Sequence, residues 1–66
     1  MKIGEAIRYF ERELEKIEEA EAIEASAAEP DEELLHAWSY EREVTAMALT
    51  ALRVIRARLV CLGIDG

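Results

Sequence analysis

Arginine is the residue type in this chain with the clearest chemical potential. Arg53 and Arg56 stand three apart and share one helix face, while Arg58 points another way. An antiparallel partner helix would bring Lys2, Arg8, Tyr9 and Arg12 alongside them. Guanidinium groups and helix N-termini that converge suit a phosphate, and a tyrosine ring suits a base or a ribose. Arg8, Tyr9, Arg12, Arg53 and Arg56 therefore form a candidate ligand-binding set, to be completed by symmetry between copies. The competing reading is that these arginines answer acids of a neighbouring chain. In that case the acidic end of one molecule meets the basic end of another.

Other chemistry finds little support. There is no glycine-rich phosphate loop, no HExxH and no Ser-His-Asp grouping, so an enzyme is not expected. Glu11 with Glu15, and Glu15 with Glu19, have helical pair spacing, but read as a solvated face. Glu33 and His36 have ExxH spacing. No second histidine or inward carboxylate set accompanies them, so neither a metal nor a cofactor is expected. Cys61 has no neighbouring histidine to activate it and reads as a small core or interface residue. Trp38 and Tyr40 face different ways: Trp38 reads as packing over an alanine-rich helix end, and Tyr40 as half exposed.

Size and charge narrow the options. Sixty-six residues hide too little surface for comfortable stability without a disulfide, a metal or a partner subunit. One cysteine and one histidine leave self-association as the source of that stability. A free thiol suits a reducing compartment, and no basic segment leads into an apolar one as in a signal peptide. Three arginines interrupt the longest apolar-rich stretch, against a membrane span. The cytoplasm is the expected location. The net charge of −7 is uneven. Residues 18–43 hold ten acids against Arg42, residues 1–17 are neutral, and residues 44–66 carry +2. Such a chain repels phosphate along most of its length, so direct nucleic-acid binding is not expected.

Two helices and one break account for the pattern, and residues 1–66 read as a single all-α hairpin. Ile3, Ile7, Phe10, Leu14 and Ile17 follow the 4-3-4-3 spacing of a packed seam. The seam drifts into Ala20 and Ile23, and the first helix is expected over about 3–28. Proline disfavours helix in the residue before it and suits the first turn of a new helix. The turn is therefore expected at about 29–30 and the second helix at about 31–62, stopped by Gly63. A frayed tail at Ile64, Asp65 and Gly66 completes the chain.

A two-residue turn forces antiparallel helices. Counting outwards from it places Ile23 near Leu35, Leu14 near Val44, Phe10 near Met47, Ile7 near Ala51 and Ile3 near Ile55. On that register the second helix outruns the first by roughly seven residues, about 10 Å. From Val44 to Leu62 only Thr45, Thr50, Arg53, Arg56 and Arg58 are polar. A helix apolar on nearly every side must be covered on nearly every side. Val44, Met47, Ala51, Ile55, Leu59 and Leu62 are thus the expected oligomer interface. The hairpins should assemble into a helical bundle, a dimer or higher.

The opening Met1-Lys2-Ile3-Gly4-Glu5-Ala6-Ile7 and the run Thr45-Ala46-Met47-Ala48-Leu49-Thr50-Ala51-Leu52-Arg53 resemble short helical-hairpin proteins of phages and prophages, especially of Gram-positive hosts. The stretch from Glu29-Pro30-Asp31, with Met47-Ala48-Leu49 further on, is weakly similar to the hairpin domain of phage sponges. Those anti-CBASS and anti-Thoeris proteins sequester cyclic-nucleotide signals of bacterial immunity. The resemblance implies a small non-enzymatic oligomer in a bacterial host cell, with ligand pockets built from several chains. It carries over no ligand residue, and the opening departs from the sponge pattern. The expected function is that of an anti-defence protein sequestering a nucleotide immune signal; the alternatives are an acidic inhibitor of a host defence protein in the manner of an anti-CRISPR, and a structural or regulatory four-helix dimer.

Overall fold

The structure is a computed structural model that describes residues 2–64. It contains two helices, α1 (Ile3–Ala25) and α2 (Glu32–Cys61), and no strand among the described residues. The molecule is a rod of 52 × 15 × 14 Å with a radius of gyration of 15.3 Å. A compact chain of this length would have a radius of gyration of about 11 Å. A rod hides less of its surface than a sphere, so the fold itself sharpens the shortage of core.

The connection is longer than the two residues expected. α1 ends at Ala25, not near residue 28, and residues 26–31 cross to α2. Ser26 donates from Oγ to the carbonyl of Ala22 at 2.9 Å and closes the last turn of α1. Pro30 then keeps Glu29 out of the helical region. The end of α1 at Ser26 and the cap of α2 at Asp31 leave the residues between them outside both helices. Asp31 is the N-cap of α2: its carboxylate accepts from the Glu33 and Leu34 amides at 3.0 and 3.2 Å. The backbone N–H of Asp31 donates to Glu24 Oε1 at 2.8 Å and ties the loop back to α1.

Gly63 ends α2 with φ of 76°. Its N–H donates to the Val60 carbonyl and the Ile64 N–H to the Leu59 carbonyl. These two bonds make the reverse turn that a left-handed residue permits after a helix. The tail residues Asp65 and Gly66 lie outside the described part of the chain.

The longer loop shifts the register. Arg42 Nε donates to Glu21 Oε1 at 3.0 Å, and Arg53 Nη2 to Glu11 Oε2 at 3.1 Å. The helices are therefore antiparallel, but offset by about five residues from the two-residue-turn register. Extending the spacing of these pairs puts Ile3 level with about residue 61, so the expected overhang of α2 nearly disappears.

Among the described residues, the buried apolar side chains are Ile7, Ile17 and Leu49, with Thr45 the buried polar one. Ile3, Phe10 and Leu14 are half buried, completing the expected seam of α1. The continuation differs. Ile23 is 66% exposed, whereas Glu21 and Glu24 are half buried and keep the 4-3 spacing. The turn-proximal end of the seam is thus polar. Facing it on α2 runs a second 4-3 series of Leu35, Trp38, Arg42, Thr45, Leu49 and Leu52, all buried or half buried. Tyr40 is 65% exposed, beyond the half exposure expected.

Candidate ligand groove and the bare face of α2

The structure brings three of the five candidate ligand residues together. Arg8, Arg12 and Arg53 line one shallow groove between the helices, over Leu14 and Leu49. Arg8 and Arg12 meet there because they are one helical turn apart. The Arg8 guanidinium lies back over Gly4, 3.6 Å from where a side chain there would begin. Arg53 reaches the groove from α2 because the antiparallel register sets it against Glu11.

The groove is not a basic pocket. Glu11, Glu15 and Glu18 line it as well, so it holds three acids for three bases. Glu11 already engages Arg53, with both side chains about half exposed. An anion entering from solvent would have to displace that carboxylate. A single chain thus offers no net positive field here. Further bases would have to come from a second copy.

The other two candidates lie elsewhere. Tyr9 sits off the groove, its ring edge-on to Phe10 at 5.4 Å between centroids and 82° between planes. Arg56 is exposed and does not line the groove. Neighbours in sequence point about 100° apart on a helix, which separates Tyr9 from Arg8.

A second groove lies nearer the loop, lined by Glu18, Glu21, Glu32, His36, Ser39 and Arg42 among others. Arg42 spans it to Glu21 and also approaches Ser39 Oγ at 3.5 Å. Sequence reading missed this pair. Its signal was available: continuing the 4-3 spacing of α1 past Ile17 lands on Glu21 and Glu24, and that of α2 lands on Arg42. No group of three or more His, Cys, Asp or Glu placed to hold a metal ion occurs among the described residues.

The outer face of α2 is the other notable surface. Val44, Met47, Ala51, Ile55 and Leu62, all named as interface residues from the sequence, are exposed in the single chain. Met47 and Leu62 are the barest, at 72% and 73%. Tyr40 and Val54 belong to the same stripe and were not named. Leu59 falls apart from the others: it is half buried and continues the inner series of Leu49 and Leu52. Met47 is two residues from buried Leu49, roughly 200° round the helix, so the bare stripe and the packed one lie on nearly opposite sides. α1, by contrast, carries only Tyr9 and Ile23 as large exposed apolar side chains away from its seam.

No helix among the described residues is long and apolar enough to cross a membrane. No family model, curated protein or solved structure matches the chain.

Proposed function

We propose that this protein is a non-enzymatic binding protein that works as a homo-oligomer, with assembly through the outer face of α2. The observation that carries this reading is the run of exposed apolar residues from Tyr40 to Leu62 along one side of a helix whose other side is packed from Leu35 to Leu59. Isolated soluble chains rarely leave such a stripe in water. With so small a core of its own, each hairpin gains its remaining stability from its neighbours.

The resemblance of the chain's opening and of residues 45–53 to short phage hairpin proteins supports an anti-defence role in a bacterial host cell. Two kinds of ligand fit the chain's charge distribution. Sequestration of a nucleotide signal rests on the gathering of Arg8, Arg12 and Arg53, with Arg56 and Arg58 free of ion pairs among the described residues. Inhibition of a basic defence protein rests on the opposite end, where Glu29, Asp31, Glu32 and Glu33 are all exposed around the loop. The geometry favours the second, because the arginine groove already contains its own counter-charges while the loop end holds acids alone. Dense like charge at one end of a rod would steer a basic partner there and make binding salt-sensitive.

Native mass spectrometry of the purified protein tests both parts, alone and with a panel of cyclic di- and trinucleotides and ADP-ribose derivatives. A multimer without adducts is expected, and directs attention to a protein partner at the acidic end. A multimer retaining one of these nucleotides restores the arginine reading. A single chain at micromolar concentration overturns the proposal.

A further inference from the structure

We infer that α2 packs against α2 of a second copy in antiparallel fashion, about a two-fold axis close to Ala51. This rests on the proposal that the outer stripe is an assembly surface, and adds which element covers it and in which direction.

Apart from Val54, whose counterpart would be the half-buried Ala48, the stripe is arranged evenly about Ala51. Met47 and Ile55 stand four residues to either side, Val44 and Arg58 seven, Tyr40 and Leu62 eleven. An antiparallel two-fold at Ala51 therefore sets Met47 on Ile55, Val44 on the aliphatic stem of Arg58, and Tyr40 on Leu62, each twice. The 4-3-4 steps keep these residues facing a partner helix along the whole contact. A small residue at the axis lets the two backbones approach closely. Bulkier side chains on either side then fill the space where the helices diverge.

Charge selects the direction. The N-terminal half of α2 carries Glu32, Glu33, Glu41 and Glu43, with Arg42 turned inwards to Glu21. The C-terminal half carries Arg56 and Arg58 and no acid, with Arg53 joined to Glu11 of its own hairpin. Parallel pairing would set acids against acids and bases against bases. Antiparallel pairing sets each acidic half against a basic half. Arg58, exposed and without an ion-pair partner among the described residues, then has Glu43 of the second copy within reach beyond Val44. The same symmetry carries the two loop ends to opposite extremes of the assembly, which separates the densest acidic clusters.

Disulfide trapping tests the direction. Tyr40→Cys places a thiol at an exposed position, and the native Cys61 is also exposed. Within one helix the two lie about 30 Å apart and cannot join. In the inferred assembly, position 40 of one copy lies beside position 61 of the other. Copper–phenanthroline oxidation of Y40C should give a cross-linked dimer as the major species, with peptide mapping showing a 40–61 bond. The unmodified protein should give little dimer, because the two Cys61 residues lie about 30 Å apart across the axis. Tyr40→Cys combined with Cys61→Ser should also give little. Rapid Cys61–Cys61 joining in the unmodified protein means parallel pairing and overturns the inference while leaving assembly intact. A multimer in which Y40C does not join to Cys61 overturns it too. A single chain by light scattering, for both proteins, removes the underlying proposal as well.

Discussion

Glu21 and Arg42 meet at 3.0 Å at the end of the seam nearest the loop, each at a position where the 4-3 spacing calls for an apolar side chain. A partly exposed ion pair of this kind contributes about 0–1 kcal/mol. Its stronger effect is on alignment, because a slip of the helices would leave two charges in a half-buried place without partners. Replacing both residues with leucine should raise stability by about 1–2 kcal/mol, whereas Arg42→Leu alone should lower it. Urea denaturation at fixed protein concentration distinguishes these, and a destabilised double leucine variant would mean that the ion pair itself adds more stability than this.

Leu49 and Met47 are separated by one residue and by the two faces of α2. Leu49 is 3% exposed and packs within the hairpin. Leu49→Ala should cost about 2–5 kcal/mol, as for other large-to-small changes in a core. Met47→Asp should instead act on assembly, shifting the sedimentation mass toward one chain and lowering the denaturation midpoint through the lost association. A Met47→Asp protein with unchanged mass would exclude the outer stripe as the interface.

Asp31 satisfies two amides at the start of α2. Asp31→Ala should lose about 1 kcal/mol, and Asp31→Asn should retain most of it because the amide oxygen still caps. Thermal unfolding followed by circular dichroism measures both. Equal losses for the two would mean that the charge, not the cap, matters.

Gly63 occupies a left-handed conformation with open space around it. Gly63→Ala should therefore cost about 1 kcal/mol through backbone strain alone, with no clash to relieve. Fraying of the last turn, seen as faster amide hydrogen exchange near Val60 and Ile64, is the accompanying sign. Unchanged exchange there would show that the turn does not depend on the glycine.

Arg53 and Glu11 are joined at 3.1 Å with both side chains in contact with water. Arg53→Ala should cost less than about 1 kcal/mol at low salt, and the difference should shrink as salt screens the pair. Stability measured at low and at high ionic strength checks this. A larger, salt-independent loss would place Arg53 in an interface between copies.

The helical class, the break at Glu29-Pro30 and the seam from Ile3 to Ile17 were legible in the residues because each is a local matter. Periodicity, proline sterics and capping act within a few positions of the chain. The apolar character of both sides of α2 was legible for the same reason, and the proposed assembly rests on it. Register was not. It depends on how many residues the chain spends crossing between helices, and that number follows from the contacts of Ser26, Glu24 and Asp31. A six-residue crossing in place of two moved Val44 away from Leu14, brought Ile3 level with the end of α2, and set Glu21 against Arg42. It also decided the candidate site: Arg53 faces Glu11, and the arginines gather among glutamates instead of alone. Charge spacing along a sequence shows which bases can share a face. Which acids come to meet them is set by how the two helices are aligned.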